Sequence, residues 1–175
     1  GFDPLNYLDR KLSQSIDPFT RYALIASQEA MKDSGLESGK DNLDVTRCGV
    51  IYGSGIGGMW TYQDEQNKLF KTRVDSTGNF KDKYNPDRVS PFFIPKLIAD
   101  IAAGRISMVY GFKGPNYATV SACATSAHSI ADAFMLIQRG TADVMIAGGA
   151  EAVICPMGIG GFNAMKALSE RNDDY

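Results

Sequence analysis

Cysteine supplies the strongest nucleophile in this sequence, and one of the three copies stands where that reactivity is raised. Cys123 lies in Thr119-Val120-Ser121-Ala122-Cys123-Ala124-Thr125-Ser126, where the apolar pattern changes period. Tyr117 to Ala122 suit a short buried strand; Ala124 to Arg139 carry Ile130, Phe134 and Ile137 at helical spacing and stop at Gly140. The spacing predicts a strand-to-helix corner with Cys123 on it. The positive end of a helix favours thiolate over thiol, and thiolate is the form that attacks. The same unpaired N–H groups could hold the oxyanion formed when a thiolate adds to a carbonyl. Cysteine is more often a small hydrophobe than a nucleophile, so position must decide. Cys48 begins the strand-like run Cys48-Gly49-Val50-Ile51-Tyr52, and Cys155 precedes Pro156 in a turn-like segment. Neither is expected at a helix N-terminus, and both read as structural thiols.

The elements that must position Cys123 alternate along the chain. Asp17 is a helix N-cap with Pro18 at the first helical position, and that helix is predicted to run to Ser34 and stop at Gly35. A strand over Gly49 to Tyr52 empties into Gly53-Ser54-Gly55-Ile56-Gly57-Gly58, followed by a short helix over Trp60 to Phe70. Ile94 or Pro95 opens a helix to Tyr110, with Leu97, Ile98, Ile101 and Ala102 facing inward, Ala102-Ala103-Gly104 permitting close packing and Gly111 ending it. Asp143 to Glu151 read as a buried strand and glycine turn. This order is that of an α/β domain with a mostly parallel sheet. Ligands collect at the carboxyl ends of such strands, so Cys123, the 53–58 glycine run and Gly148-Gly149 are expected to converge on one site.

Gly53, Gly55 and Gly58 also match the G-x-G-x-x-G pattern of dinucleotide-binding folds. The fingerprint requires a second strand ending in an acidic residue about 20 positions on, and Asp75 stands instead in a polar stretch. Close approach of backbone to something else is the simpler use of these glycines. The 68–88 stretch mixes Lys68, Lys71, Arg73, Lys81, Lys83 and Arg88 with Asp75, Asp82 and Asp87, and reads as solvated surface or a docking loop.

At 175 residues, 44% apolar and 22% charged, the chain is long enough for one domain with a core. A net charge of −2 gives no strong field for nucleic acid or an anionic membrane. No apolar run approaches the roughly 18 to 20 residues of a membrane span. Unpaired cysteines and no basic-apolar leader point to a reducing, cytoplasmic setting. Gly1 and the polar end at Tyr175 read as cuts from something longer.

The glycine run 53–58, Ser90-Pro91-Phe92-Phe93-Ile94-Pro95, Gly114-Pro115-Asn116, the Cys123 segment, Ala142 to Glu151 and Ala167-Leu168-Ser169 together resemble the β-ketoacyl-acyl-carrier-protein synthases, most closely type II of fatty-acid synthesis. The resemblance covers nearly all of the chain, in order. It implies a thiolase-like layered α-β-α fold of two similar halves, with residues 1–175 supplying most of the first half without its opening strand. It implies that Cys123 takes an acyl group as a thioester and that a malonyl carrier protein, after decarboxylation, condenses with it. Ile56 matches the residue that limits the acyl pocket, Val153, Met157, Gly158 and Phe162 match its walls, and Phe93 matches an aromatic that enters the partner subunit's pocket. Arg10 and Lys11 match carrier-protein docking residues, although Gln14 and Ser15 stand where further positive charge is expected. No metal and no cofactor of its own are implied, phosphopantetheine being carried by the acyl carrier protein. Partners implied are that carrier and a second copy in a homodimer, without nucleic acid or membrane. The family's catalytic histidines and supporting lysine belong to the second half; His128, the only histidine here, falls five residues past Cys123 and reads as structural. A polyketide ketosynthase or a coenzyme A-dependent thiolase would keep the nucleophile and change the carrier. A dinucleotide-binding module is the alternative of another class.

Overall fold

The computed structural model describes residues 2–36, 43–71, 77–79 and 89–173. Among them the chain runs α1 (Arg10–Ser15), α2 (Pro18–Ser34), β1 (Cys48–Gly53), α3 (Met59–Lys71), α4 (Phe93–Leu97), α5 (Ile101–Tyr110), β2 (Asn116–Tyr117), α6 (Thr125–Gln138), β3 (Val144–Gly149) and α7 (Pro156–Ala164). Short 3-10 turns cover Pro4–Asn6, Val45–Arg47 and Ala122–Ala124. The three strands form one parallel sheet in the order β2-β1-β3. Crossovers through helices are what parallel pairing demands.

The middle strand organises the domain. All six residues of β1 are buried, as a strand covered on both faces should be. Cys48, Val50 and Tyr52 join the core that α2 and α5 build with Phe19, Leu24, Ala102, Ala103 and Ile106. Ile51 alternates to the opposite face, where α6 packs on β1 and β3. Helices therefore cover both faces of the described sheet.

Local chemistry explains most boundaries. Asp17 caps α2 by accepting the Phe19 N–H, Pro18 occupies its first turn, and Gly35 ends it in the left-handed region at φ 71°. Asp17 also accepts the N–H and hydroxyl of Thr61 at 2.9 and 2.7 Å, fastening α2 to α3. Burial pushes its carboxyl above the ordinary value despite these donors. Arg47 and Asp143 form an ion pair, and Arg47 also donates to the Gly140 carbonyl, which ties the start of β1 to the loop before β3. That pairing holds the Asp143 carboxyl below its ordinary 3.8. A depressed folded value adds stability that is present above the unfolded value and lost as pH falls through the folded one. Asp143→Asn is thus expected to lower the melting temperature slightly at pH 7 and low salt, with the deficit closing below pH 3.8; thermal scans against pH check it.

Several expectations give way. The helix predicted from Ile94 to Tyr110 is two helices, because Ile98 turns extended (ψ 138°) and the Leu97 carbonyl accepts the Gly58 N–H at 2.9 Å. Ile98 is consequently exposed rather than inward. Gly104 has no neighbour within 4 Å of its would-be Cβ, so Ala102 and Ala103 carry the close packing of α5. The strand predicted over Tyr117 to Ala122 pairs only at Asn116 and Tyr117. Residues 156–164, unassigned from sequence, form α7; Cys155 caps it by accepting the Gly158 N–H, so Cys155 does stand at a helix N-terminus, but buried. On α6 the residues turned to the sheet are Thr125, Ser129 and Ala133, while Ile130, Phe134 and Ile137 are exposed. Of the 68–88 stretch, residues 72–76 and 80–88 lie outside the described residues.

Candidate active site

Cys123 occupies the middle of the 3-10 turn Ala122–Ala124, immediately before α6, with its side chain exposed. The corner is built by hydrogen bonds from small polar residues. Thr125 Oγ1 accepts the Ser121 N–H at 2.8 Å. Thr119 Oγ1 donates to the Thr125 carbonyl at 2.9 Å and lies 2.8 Å from Ser129 Oγ. Ala122 is forced to φ 48°, a left-handed conformation rare for a residue with a Cβ and costing about 1 kcal/mol or more. No side chain caps the N-terminus of α6; the Ala124 and Thr125 N–H groups donate instead to the Ser121 and Ala122 carbonyls within the turn.

Two glycines let the strand ends close on this corner. A Cβ on Gly53 would lie 2.2 Å from the Thr119 carbonyl oxygen and 2.4 Å from Thr125 Cγ2. One on Gly149 would meet Ser126 Cβ at 3.2 Å. The strand ends and the start of α6 thus approach closely, as expected for glycines used for close approach.

A cavity of about 380 Å³ opens here, lined by Gly53, Ser54, Gly55, Ile56, Ala122, Cys123, Thr125, Ser126, Gly149, Ala150, Glu151, Val153 and Phe162. The structure brings Cys123, Ile56, Val153 and Phe162 together around it. Met157 and Gly158 are not in its wall: the Met157 N–H donates to Gln63 Oε1 at 2.8 Å, and buried Gly158 packs under Val153, whose carbonyl oxygen would be 2.0 Å from a Cβ there. Phe93, half-buried, begins α4 and does not line this cavity. Arg10 and Lys11 are exposed on the first turn of α1. His128 points its Nδ1 at Ser121 Oγ, 2.7 Å away, and is absent from the cavity lining.

Glu151 is a liner that sequence reading passed over. One carboxylate oxygen accepts from Ser54 Oγ at 2.9 Å and the other from the Ile56 N–H at 3.0 Å, while Ser54 Oγ accepts the Gly57 N–H at 2.9 Å. An acidic residue two positions past the apolar run Val144–Gly149 was the available signal. These contacts also answer the dinucleotide alternative. N–H groups that would cradle a pyrophosphate are taken by the chain's own carboxylate and hydroxyl, and Gly58 is closed by the Lys96 carbonyl, 2.3 Å from a Cβ position.

Comparison with known proteins fixes the family. The model of the β-ketoacyl synthase N-terminal domain matches residues 2–174. The chain belongs to the β-ketoacyl synthase family. Over 173 residues, 99% of the chain, this synthase domain is 46% identical to 3-oxoacyl-[acyl-carrier-protein] synthase 2 of Staphylococcus aureus, covering 40% of that relative. It is 43% identical to the synthase of the same name from Synechocystis, covering 38%. A β-ketoacyl synthase from Burkholderia phymatum superposes with a TM-score of 0.76 at 29% identity, over 99% of this chain and 39% of that one. A type II PKS acyl-carrier protein in complex with its ketosynthase gives 0.75 at 26% identity, over 90% and 40%. The synthase domain therefore has a thiolase-like α/β fold and spans about 40% of the length of these relatives. Among its described residues, no helix is long and apolar enough to cross a membrane.

Proposed function

We propose that this domain is the nucleophile-bearing N-terminal half of a condensing enzyme of fatty-acid elongation, a 3-oxoacyl-acyl-carrier-protein synthase. The observation that carries the reading is the exposed Cys123 at the start of α6, opening on a mostly apolar cavity. Cys123 thiolate attacks the thioester carbonyl of an acyl carrier protein; a new carbon–sulfur bond forms, the phosphopantetheine thiolate leaves and takes a proton, and the acyl chain lies between Ile56, Val153 and Phe162. Each buried methylene contributes about 0.8 kcal/mol, which is why the walls are apolar. In the second half-reaction malonyl carrier protein loses carbon dioxide, and the resulting carbanion attacks the acyl carbon and expels the Cys123 thiolate. The product is a β-ketoacyl carrier protein. The Cys123 backbone N–H is one arm of the oxyanion hole that stabilises both steps.

His128 is engaged with Ser121, so in this reading decarboxylation falls to groups outside residues 1–175. The domain alone acylates at most, and condensation belongs to the whole polypeptide. Its partners would be an acyl carrier protein, docking near Arg10 and Lys11, and a second copy in a homodimer that receives Phe93. A relative of the polyketide class is solved with its carrier protein bound, which supports carrier docking as the mode of delivery. Phosphopantetheine arrives on that carrier, with no cofactor resident in the domain, and the setting is cytoplasmic.

The test is to load the full polypeptide with acyl carrier protein and map the acyl adduct by mass spectrometry. An adduct on Cys123, discharged on adding malonyl carrier protein with release of β-ketoacyl product, is expected. An adduct on another residue, or none, would overturn the assignment.

A further inference from the structure

We infer that Glu151 is a positioning residue that sets the acyl chain length admitted by the cavity, by latching the turn that carries Ile56. The inference rests on the reading of the cavity as an acyl pocket. Ile56 stands between Gly55 and Gly57, and Gly57 adopts φ 83°, so the wall residue has the most permissive backbone on either side. It is also 43% exposed, so packing alone does not fix it. What fixes it is polar. Parallel register sets Gly53 beside Gly149, and the Ala150 N–H donates to the Gly53 carbonyl at 3.1 Å, which carries Glu151 to the turn beyond β1. From there its two oxygens take two donors spaced two residues apart, Ser54 Oγ and the Ile56 N–H. Ser54, only 1% exposed, passes the restraint on by accepting the Gly57 N–H. The carboxylate sits 2.9 Å from a Cβ position at Gly55, so the turn is shaped around it. With both oxygens engaged by the chain, Glu151 acts through Ile56 rather than on substrate.

Freeing the turn lets Ile56 swing and the pocket lengthen. The experiment compares kcat/KM for acyl carrier proteins of increasing chain length in the full polypeptide, for wild type, Glu151→Ala, Glu151→Gln, Ser54→Ala and Ile56→Ala. Glu151→Ala and Ser54→Ala are expected to shift the ratio of long to short chains roughly tenfold towards long, the scale on which pockets discriminate a methylene or two. Glutamine can accept from the Ile56 N–H through its carbonyl and donate to Ser54 Oγ through its amide, so Glu151→Gln returns the ratio towards wild type. A variant that is merely destabilised loses rate on all chains and leaves the ratio alone. If Glu151→Ala and Ser54→Ala keep the wild-type ratio while Ile56→Ala changes it, the latch is wrong and the pocket stands. If Ile56→Ala leaves the ratio unchanged too, the acyl-pocket reading falls and takes the latch with it. Should Glu151→Ala fail to fold, Ser54→Ala decides.

Discussion

Cys123→Ala is expected to abolish acyl transfer, a loss of about a thousandfold or more, while the protein stays folded. The side chain is exposed and makes no hydrogen bond that an alanine would orphan, so its removal subtracts chemistry and little packing. No neighbouring group can substitute. Ser121 Oγ is taken up with His128, and Ser126 Oγ is an alcohol, far weaker as a nucleophile than a thiolate near neutral pH. Nucleophile deletions in covalent enzymes typically cost several orders of magnitude in kcat. Intact-mass detection of the acyl adduct and a condensation assay read the effect together. Cys48→Ala and Cys155→Ala should behave in the opposite way, with lowered stability and retained acylation, since both sulfurs are buried, at 1% and 2% exposure.

Gly53→Ala should cost about 3 kcal/mol, the upper end for forcing extra atoms into a packed site. Its Cβ would fall within 2.4 Å of two groups that cannot step aside, the Thr119 carbonyl and the Thr125 side chain. Both belong to the corner that presents Cys123, so the strain is delivered to the Cys123 thiol. A melting temperature lowered by around ten degrees, with slower alkylation of Cys123, is the expected pair of readings. Gly104→Ala supplies the contrast. That glycine lies inside α5 with nothing within 4 Å of its Cβ position, so alanine should stabilise by about 0.5–1 kcal/mol. Equal effects of the two substitutions would show that crowding at the corner is not the cause.

The legible parts of the sequence were those fixed by short-range chemistry. Asp17, Pro18 and Gly35 bracket α2 as capping rules require, and the strand read over Gly49 to Tyr52 is β1. The place of Cys123 ahead of α6 was legible because helical spacing begins just after it. What escaped depends on contacts between distant residues. The break between α4 and α5 exists because Gly58, some 40 positions earlier, draws on the Leu97 carbonyl. Glycine-rich α7 forms although glycine disfavours helix; Pro156 and the Cys155 cap start it, and Gly158 must be small to pass under Val153. On α6, the helical spacing of Ile130, Phe134 and Ile137 located the helix, yet its buried face is made of the small residues Thr125, Ser129 and Ala133, and at its start Gly53 and Gly149 bring the strand ends against Thr125 and Ser126. Glu151 was invisible as a positioning group until β1 and β3 were paired in register.

Competitive alkylation tests most directly whether one thiol is set apart for nucleophilic work. Folded full polypeptide is treated with substoichiometric iodoacetamide at neutral pH and digested, and the three cysteines are quantified. Cys48 should resist, because burial, with Asp143 and Asp44 near it, pushes its thiol above the ordinary value and its Sγ is bound to the Asp44 carbonyl at 3.3 Å. Cys155 should resist because it is enclosed as the cap of α7. The account predicts label on Cys123 far ahead of both, and loss of that label after loading with acyl carrier protein. Equal labelling of the three, or labelling of Cys123 that acyl loading does not block, would contradict it.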